Sequence, residues 1–240
     1  MTRSDAVPAV VAAARMPGHE RLWRVFLAVA IVGGPLGVDV GGALAPSIHG
    51  NGRETIAANA AASAAVNDGH LVAFVVASFL LPVGALGLAC LAYPRSPWPA
   101  TIGGLLGFVG WVPYAALTAL DDLARAMAGL PGSGSYATLL DRFTVDPTMN
   151  AYLLIYVACH LVAYVLLGVA LCRARVIPVW AAVAMIASSP VTILAFALPG
   201  RVGGDRGGLV TLAIGCTALT LLVVGSLPAA RAMLAGETSR

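Results

Sequence analysis

Residues 150–172 read NAYLLIYVACHLVAYVLLGVALC, a run without one Asp, Glu, Lys or Arg. An α-helix rises 1.5 Å per residue, so about 20 consecutive apolar residues cross the hydrocarbon core of a bilayer. This run has that length. Five further windows share its character: 23–45, 71–93, 99–120, 177–199 and 208–230. The chain as a whole agrees, with 59% hydrophobic residues, 10% charged residues and a mean hydropathy of +0.89. A soluble domain carries about 25% charged residues, and one this poor in charge could not clothe its surface. The expected fold is all-α: a polytopic integral membrane bundle of six transmembrane helices.

Arginines orient the bundle, since the chain has no lysine. With the N-terminus cytoplasmic, Arg3, Arg15, Arg21, Arg24, Arg95, Arg173, Arg175, Arg231 and Arg240 lie inside, against Arg53, Arg125, Arg142, Arg201 and Arg206 outside. Short arginine-bearing turns weigh most in the positive-inside rule, and two of them (94–98 and 173–176) fall inside. The expected organisation is a cytoplasmic tail (1–22), a transmembrane domain (23–230) with outer connections 46–70 and 121–149, and a second cytoplasmic tail (231–240). The expected location is the plasma membrane. Ala43-Leu44-Ala45 mimics a signal-peptidase site, but Pro46 would follow the cut and Asp39 interrupts the run, so the first span is read as a retained anchor.

The outer connections carry local signals. ETIAANAAASAAV, from Glu54, is alanine-rich and suits a short interfacial helix, and 121–149 reads as helix, break at PGSGS, then helix SYATLLDRF. Asp146-Pro147 is a start signal for the fourth span, an aspartate cap with proline at the first helical position. LGLACLAYPRSPW (86–98) and LGVALCRARVIPV (167–179) echo one another as helix end, basic turn and proline-opened helix. A net charge of +3 spread among connections is no nucleic-acid footprint. Cys90, Cys159, Cys172 and Cys216 lie in apolar segments without a C-x-x-C pair, and read as small hydrophobes.

Taken together, the arginine-rich start, the long first outer connection, the acidic start to the second and GVALCRARVIPVWAAVA leading into a fifth helix resemble the six-helix integral membrane proteins of actinobacteria whose activity is uncharacterised. The lysine-free, Ala/Gly/Val/Arg-rich composition fits a high-GC genome. The resemblance covers residues 20–230 and implies the layout; it carries over no catalytic residue.

Helices in lipid associate through small residues. Gly33, Gly37 and Gly41 form a stripe on the first span, and Gly103, Gly107 and Gly110 mark the third. These two helices are expected to pack closely, either on each other or between copies in a homo-oligomer. Pro35, Pro82, Pro113 and Pro190 fall at similar depth, where each kinks its helix and frees carbonyls. Ser188 and Ser189 just before Pro190, and Thr192 after it, are local partners there, and a midplane cavity is the expected consequence of the four prolines.

His160 sits near the bilayer centre, with Tyr152, Tyr156 and Tyr164 at four-residue spacing. Charge is costly there, so the imidazole should be neutral, satisfied by a tyrosine hydroxyl or by Ser188 or Ser189. It is either a structural anchor or a ligand-pocket residue, and Tyr156, Tyr164, Ser188 and Ser189 complete the candidate pocket. Haem ligation by His70 and His160 is rejected, because a depth difference of roughly 15 Å separates them. No metal or other cofactor is expected. The outer side gathers Asp39, Glu54, Asp68, Asp121, Asp122, Asp146 and Asp205 with His49 and His70. Asp39, Asp68, His70, Asp121 and Asp122 are the candidate catalytic groups, without the spacing of any known hydrolase or metal motif. Arg125, four residues after Asp121, is expected to pair with it. Asp39, inside a span, has Arg125 or His70 as expected partners.

Three functions follow as expectations. The first is binding or passage of a small apolar or amphiphilic molecule in a midplane cavity. The second is an enzyme acting on a lipid or isoprenoid at the outer leaflet. The third is a structural or accessory subunit.

Overall fold

The computed structural model describes residues 17–47, 50–197 and 204–236. Its elements are α1 (Gly18–Leu44), α2 (Gly52–Ala61), α3 (Ala64–Ala92), α4 (Pro97–Trp111), α5 (Tyr114–Ala128), a 3-10 turn (Ser133–Tyr136), α6 (Ala137–Thr144), α7 (Pro147–Arg173), α8 (Val179–Ala197) and α9 (Gly204–Ala235). Among the described residues no strand occurs. Among the described residues five segments are long and apolar enough to cross a membrane: α1, α3, α4 with α5 (Pro97–Ala128), α7, and α9 from Gly208. The apolar part of α8, Val179–Ala195, is shorter. The chain is therefore a multi-pass membrane protein by the length and composition of its helices.

The apolar helices close a ring in chain order. α1 packs on α3, α3 on α4, α4 on α7, α7 on α8, α8 on α9, and α9 returns to α1. The start of α1 and the end of α9 meet, with Gly236 against Arg24, and Arg24 pairs with Glu20 at 2.5 Å. The two echoing turns lie at this end as neighbours, since Arg95 donates from Nη1 to the Ala174 carbonyl at 3.3 Å. α7 closes there on the Val176 N–H to Leu171 carbonyl and Arg175 N–H to Cys172 carbonyl bonds, with Arg175 at φ 57° where glycine is usual.

The opposite end carries a small module. α2 starts with a reciprocal box, in which Asn51 Oδ1 accepts from the Glu54 N–H and Glu54 Oε2 accepts from the Asn51 N–H. Asp141 of α6 accepts from the Gly52 N–H at 2.5 Å, so α6 holds the first turn of α2. Ile56, Ala124, Met127, Ala137 and Leu140 give this module its own apolar core. Asp146 caps α7 through the Thr148 N–H, with Pro147 at the first position, as the sequence predicts.

Several boundaries differ from the sequence reading. The third span is two helices, because Pro113 ends α4 at Trp111 and α5 continues past residue 120 to Ala128. Asp121 and Asp122 thus belong to a helix continuous with the bundle and not to a connection. The alanine-rich stretch is split at Ala62-Ser63, where the Ser63 hydroxyl accepts from the Val66 N–H and starts α3 within the expected first connection. α1 begins inside the expected 1–22 tail, and α9 runs past 230. Arg3, Arg15, His49, Arg201 and Arg240 lie outside the described residues, as do the side chains of Asp205 and Arg206.

The two glycine-marked helices do not pack on each other. Gly33, Gly37 and Gly41 face Leu80, Ala77 and Phe74 of α3, while Gly103 and Gly110 face α7 and Gly104 and Gly107 face α3. These faces are consumed within one chain. α3 answers α1 with its own Gly84, where an added Cβ would lie 2.6 Å from the Ala30 carbonyl oxygen. Backbone cannot yield as a side-chain tip can, so Gly84→Ala should cost about 1–3 kcal/mol. Gly42→Ala points into open space. Thermal unfolding in detergent should show a lowered melting temperature for Gly84→Ala and none for Gly42→Ala; equal midpoints would refute this packing.

Candidate functional site

The break at Pro113 puts two aromatic side chains at the inner ends of α4 and α5. Trp111 is 1% exposed and forms the hub of a ring cluster. Its ring centroid lies 4.8 Å from His160, 5.4 Å from Tyr156, 5.6 Å from Tyr114 and 6.2 Å from Tyr164. Gly110 makes this possible: a Cβ there would stand 2.6 Å from the His160 backbone nitrogen. Trp111 Nε1–H donates to the Tyr164 hydroxyl at 3.0 Å, which satisfies the indole.

A cavity of about 300 Å³ opens beside this cluster. Every helix of the ring supplies lining: Val38 from α1, His70 and Phe74 from α3, Trp111 from α4, His160 from α7, Ser188 from α8 and Thr211 from α9. Thr55 and Asn59 of α2 close the far end. A second cavity of about 300 Å³ lies under the α2/α6 module, and Ser47, Thr55 and Asp121 line both. Asp141 and Thr144 add polar groups to it. The second cavity is the more polar, and Ser47, Thr55 and Asp121 stand between it and the aromatic central one.

His160, Tyr156, Tyr164, Ser188 and Ser189 all line the central cavity. His160 lies midway along α7 and stacks on Tyr156 at 4.4 Å. Its polar demand is met differently from the sequence reading. His160 Nδ1 bonds to the Tyr156 carbonyl one turn back, and neither serine nor a tyrosine hydroxyl bonds it. Ser189 instead donates across to the Leu161 carbonyl of α7 at 2.8 Å, while Ser188 and Thr192 bond local carbonyls around Pro190. Tyr152 departs from the cluster and is 41% exposed.

The acidic candidates separate. Asp68 and Asp122 both pair with Arg125, at 2.8 and 2.9 Å, forming an exposed tie between α3 and α5. Arg125 does not pair with Asp121, which lines the cavities instead. Asp39 accepts from Thr220 Oγ1 of α9 at 3.1 Å, so neither Arg125 nor His70 is its partner. His70 lines the central cavity with its Nδ1 directed at the Val66 carbonyl, 3.4 Å away. Phe74, Tyr114 and Tyr156 stand between His70 and His160 as successive ring contacts of 5.8, 5.8, 5.7 and 4.4 Å. The histidines do not face one another as a ligand pair.

No family model, curated protein or solved structure matches this chain. The site must be read from its own chemistry.

Sequence reasoning missed Trp111, Tyr114 and Asn59. The available signal was WVPY (111–114), two aromatics flanking the proline that divides a span. Tyr114 is 7% exposed, lines the cavity, and its hydroxyl has no hydrogen-bond partner among the described residues. Tyr164→Phe strands the Trp111 N–H and should cost about 1 kcal/mol. Arg125→Gln removes only exposed pairs and should cost less than about 0.5 kcal/mol. Detergent unfolding of both variants checks the order; a larger loss for Arg125→Gln would contradict it.

Proposed function

We propose that this protein binds or passes a small apolar or amphiphilic molecule through the central cavity around His160. It does so as a six-crossing protein of the plasma membrane with both termini cytoplasmic. The observation that carries this reading is the cavity itself: about 300 Å³, walled by every helix of the ring, mostly apolar with a few convergent polar groups. Small-molecule sites have that size and character. The orientation rests on arginine placement, with Arg21, Arg24, Arg95, Arg173, Arg175 and Arg231 at the end holding the start of α1 and the end of α9, and Arg53, Arg125 and Arg142 at the end holding α2 and α6.

A second reading, an enzyme acting on a lipid or isoprenoid at the outer leaflet, is supported by one observation. Asp121 and His70 share the cavity wall, and Asp121 stands where the cavity meets the polar space under the module. A carboxylate and an imidazole in one cleft are an acid–base pair in kind. Asp68 and Asp122 fit this reading less well, because Arg125 occupies both.

Native mass spectrometry of the protein purified in mild detergent separates these readings. A reproducible bound mass is expected, lost in His160→Ala and kept in the Asp68→Asn/Asp122→Asn double variant. A wild-type spectrum with apo-protein alone would count against the binding reading. A bound mass that survives His160→Ala and is chemically altered only when Asp121 is intact would favour the enzyme.

A further inference from the structure

We infer that the molecule held in the central cavity is a neutral amphiphile with a hydroxyl headgroup, an alcohol or phenol, recognised by His160 and Tyr114 on the cavity wall, with its apolar body along the ring walls. This rests on the binding reading above and adds the chemistry of the headgroup.

His160 holds one tautomer. A backbone carbonyl only accepts, so the Nδ1 that bonds the Tyr156 carbonyl carries the proton. Deep in an apolar bundle the ring is neutral, which leaves Nε2 as a lone pair. Among the described residues no side chain or backbone N–H donates to that atom, and His160 is 5% exposed and lines the cavity. The site therefore offers a buried acceptor. His70, at the other side of the same cavity, directs its Nδ1 at the Val66 carbonyl in the same way.

Tyr114 supplies the complement. Its hydroxyl is buried, lines the cavity and has no hydrogen-bond partner among the described residues. Tyr114 and His160 both contact Trp111 and both contact Tyr156, so acceptor and hydroxyl belong to one aromatic cluster. A headgroup satisfying both has to donate to Nε2 and accept from the tyrosine O–H. A hydroxyl carries both capacities in one group. An ether or ketone accepts only and leaves Nε2 unmet. A carboxylate accepts only and brings a charge that no cation among the described residues of the cavity wall balances, while Asp121 on that wall repels it. An ammonium donates but cannot accept from Tyr114, and it would be desolvated among the rings.

The test is a series with one tail, measured by isothermal titration on the full-length protein in nanodiscs: decanol, decyl methyl ether, decanoate and decylammonium. Decanol should bind, and the ether should bind about tenfold more weakly, the worth of one buried hydrogen bond. The two ions should bind more weakly still. His160→Phe keeps the ring stack and removes the acceptor, so alcohol and ether should then bind within about twofold of each other. Equal binding of alcohol and ether to the wild type, or tighter binding of either ion, would overturn the hydroxyl assignment while leaving the cavity reading intact. No saturable binding by any of the four would overturn the cavity reading beneath it. The wild-type series decides the matter even where the His160→Phe variant fails to fold.

Discussion

The close approach of α4 to α7 at Gly110 is the contact on which the centre of this protein depends. Only a residue without Cβ lets the α4 backbone come so near the His160 amide. That approach carries Trp111 onto the His160 and Tyr156 rings, and the Trp111 N–H onto the Tyr164 hydroxyl. In lipid there is no hydrophobic drive between helices, so association has to come from such packing and from polar contacts between them. Pro113, three residues on, divides α4 from α5, and Trp111, Pro113 and Tyr114 at the break are buried while Val112 faces outward. One glycine and one proline thus turn a plain span into a wall bearing two inward aromatics, Trp111 and Tyr114.

The rest of the ring repeats the logic with smaller residues. Gly84 meets the α1 backbone, Gly168 meets Ile186 of α8, and Gly225 of α9 meets Met185 and the Ala181 carbonyl of α8. Tight seams around the circumference, with bulky rings and small polar side chains left toward the middle, produce an internal space instead of a filled core. The α2/α6 module then covers one end with its own core and its Asp141 tie, placing Thr55 and Asn59 over the cavity and Asp121 at the junction. The contrast between the polar space under the module and the aromatic centre follows from that stacking.

The sequence alone conveyed the helical class and the positions of the apolar segments, because a long uncharged run has one physical solution in lipid. It also conveyed the Asp146-Pro147 start, a local signal that needs no partner. The group His160, Tyr156, Tyr164, Ser188 and Ser189 was legible in part: three of the five share one helical face, and the serines adjoin a mid-helix proline. What could not be read was everything decided between helices. Which face of α1 meets α3, that Ser189 reaches Leu161, and that Arg125 prefers Asp68 and Asp122 to Asp121 all depend on packing at long range. Trp111 and Tyr114 were passed over because an aromatic residue in an apolar span looks like any other until the break at Pro113 turns it inward.

The central claim is that Trp111 stands at an internal cavity reached by a small amphiphile and closed to bilayer lipid. Trp23, Trp98 and Trp180 are exposed on the outer surface, so replacing them with Phe leaves Trp111 as the sole emitter. Its fluorescence should be quenched saturably by a short bromoalcohol and should resist phospholipids brominated along the acyl chain. Equal, unsaturable quenching by both would show Trp111 facing lipid and would contradict the account.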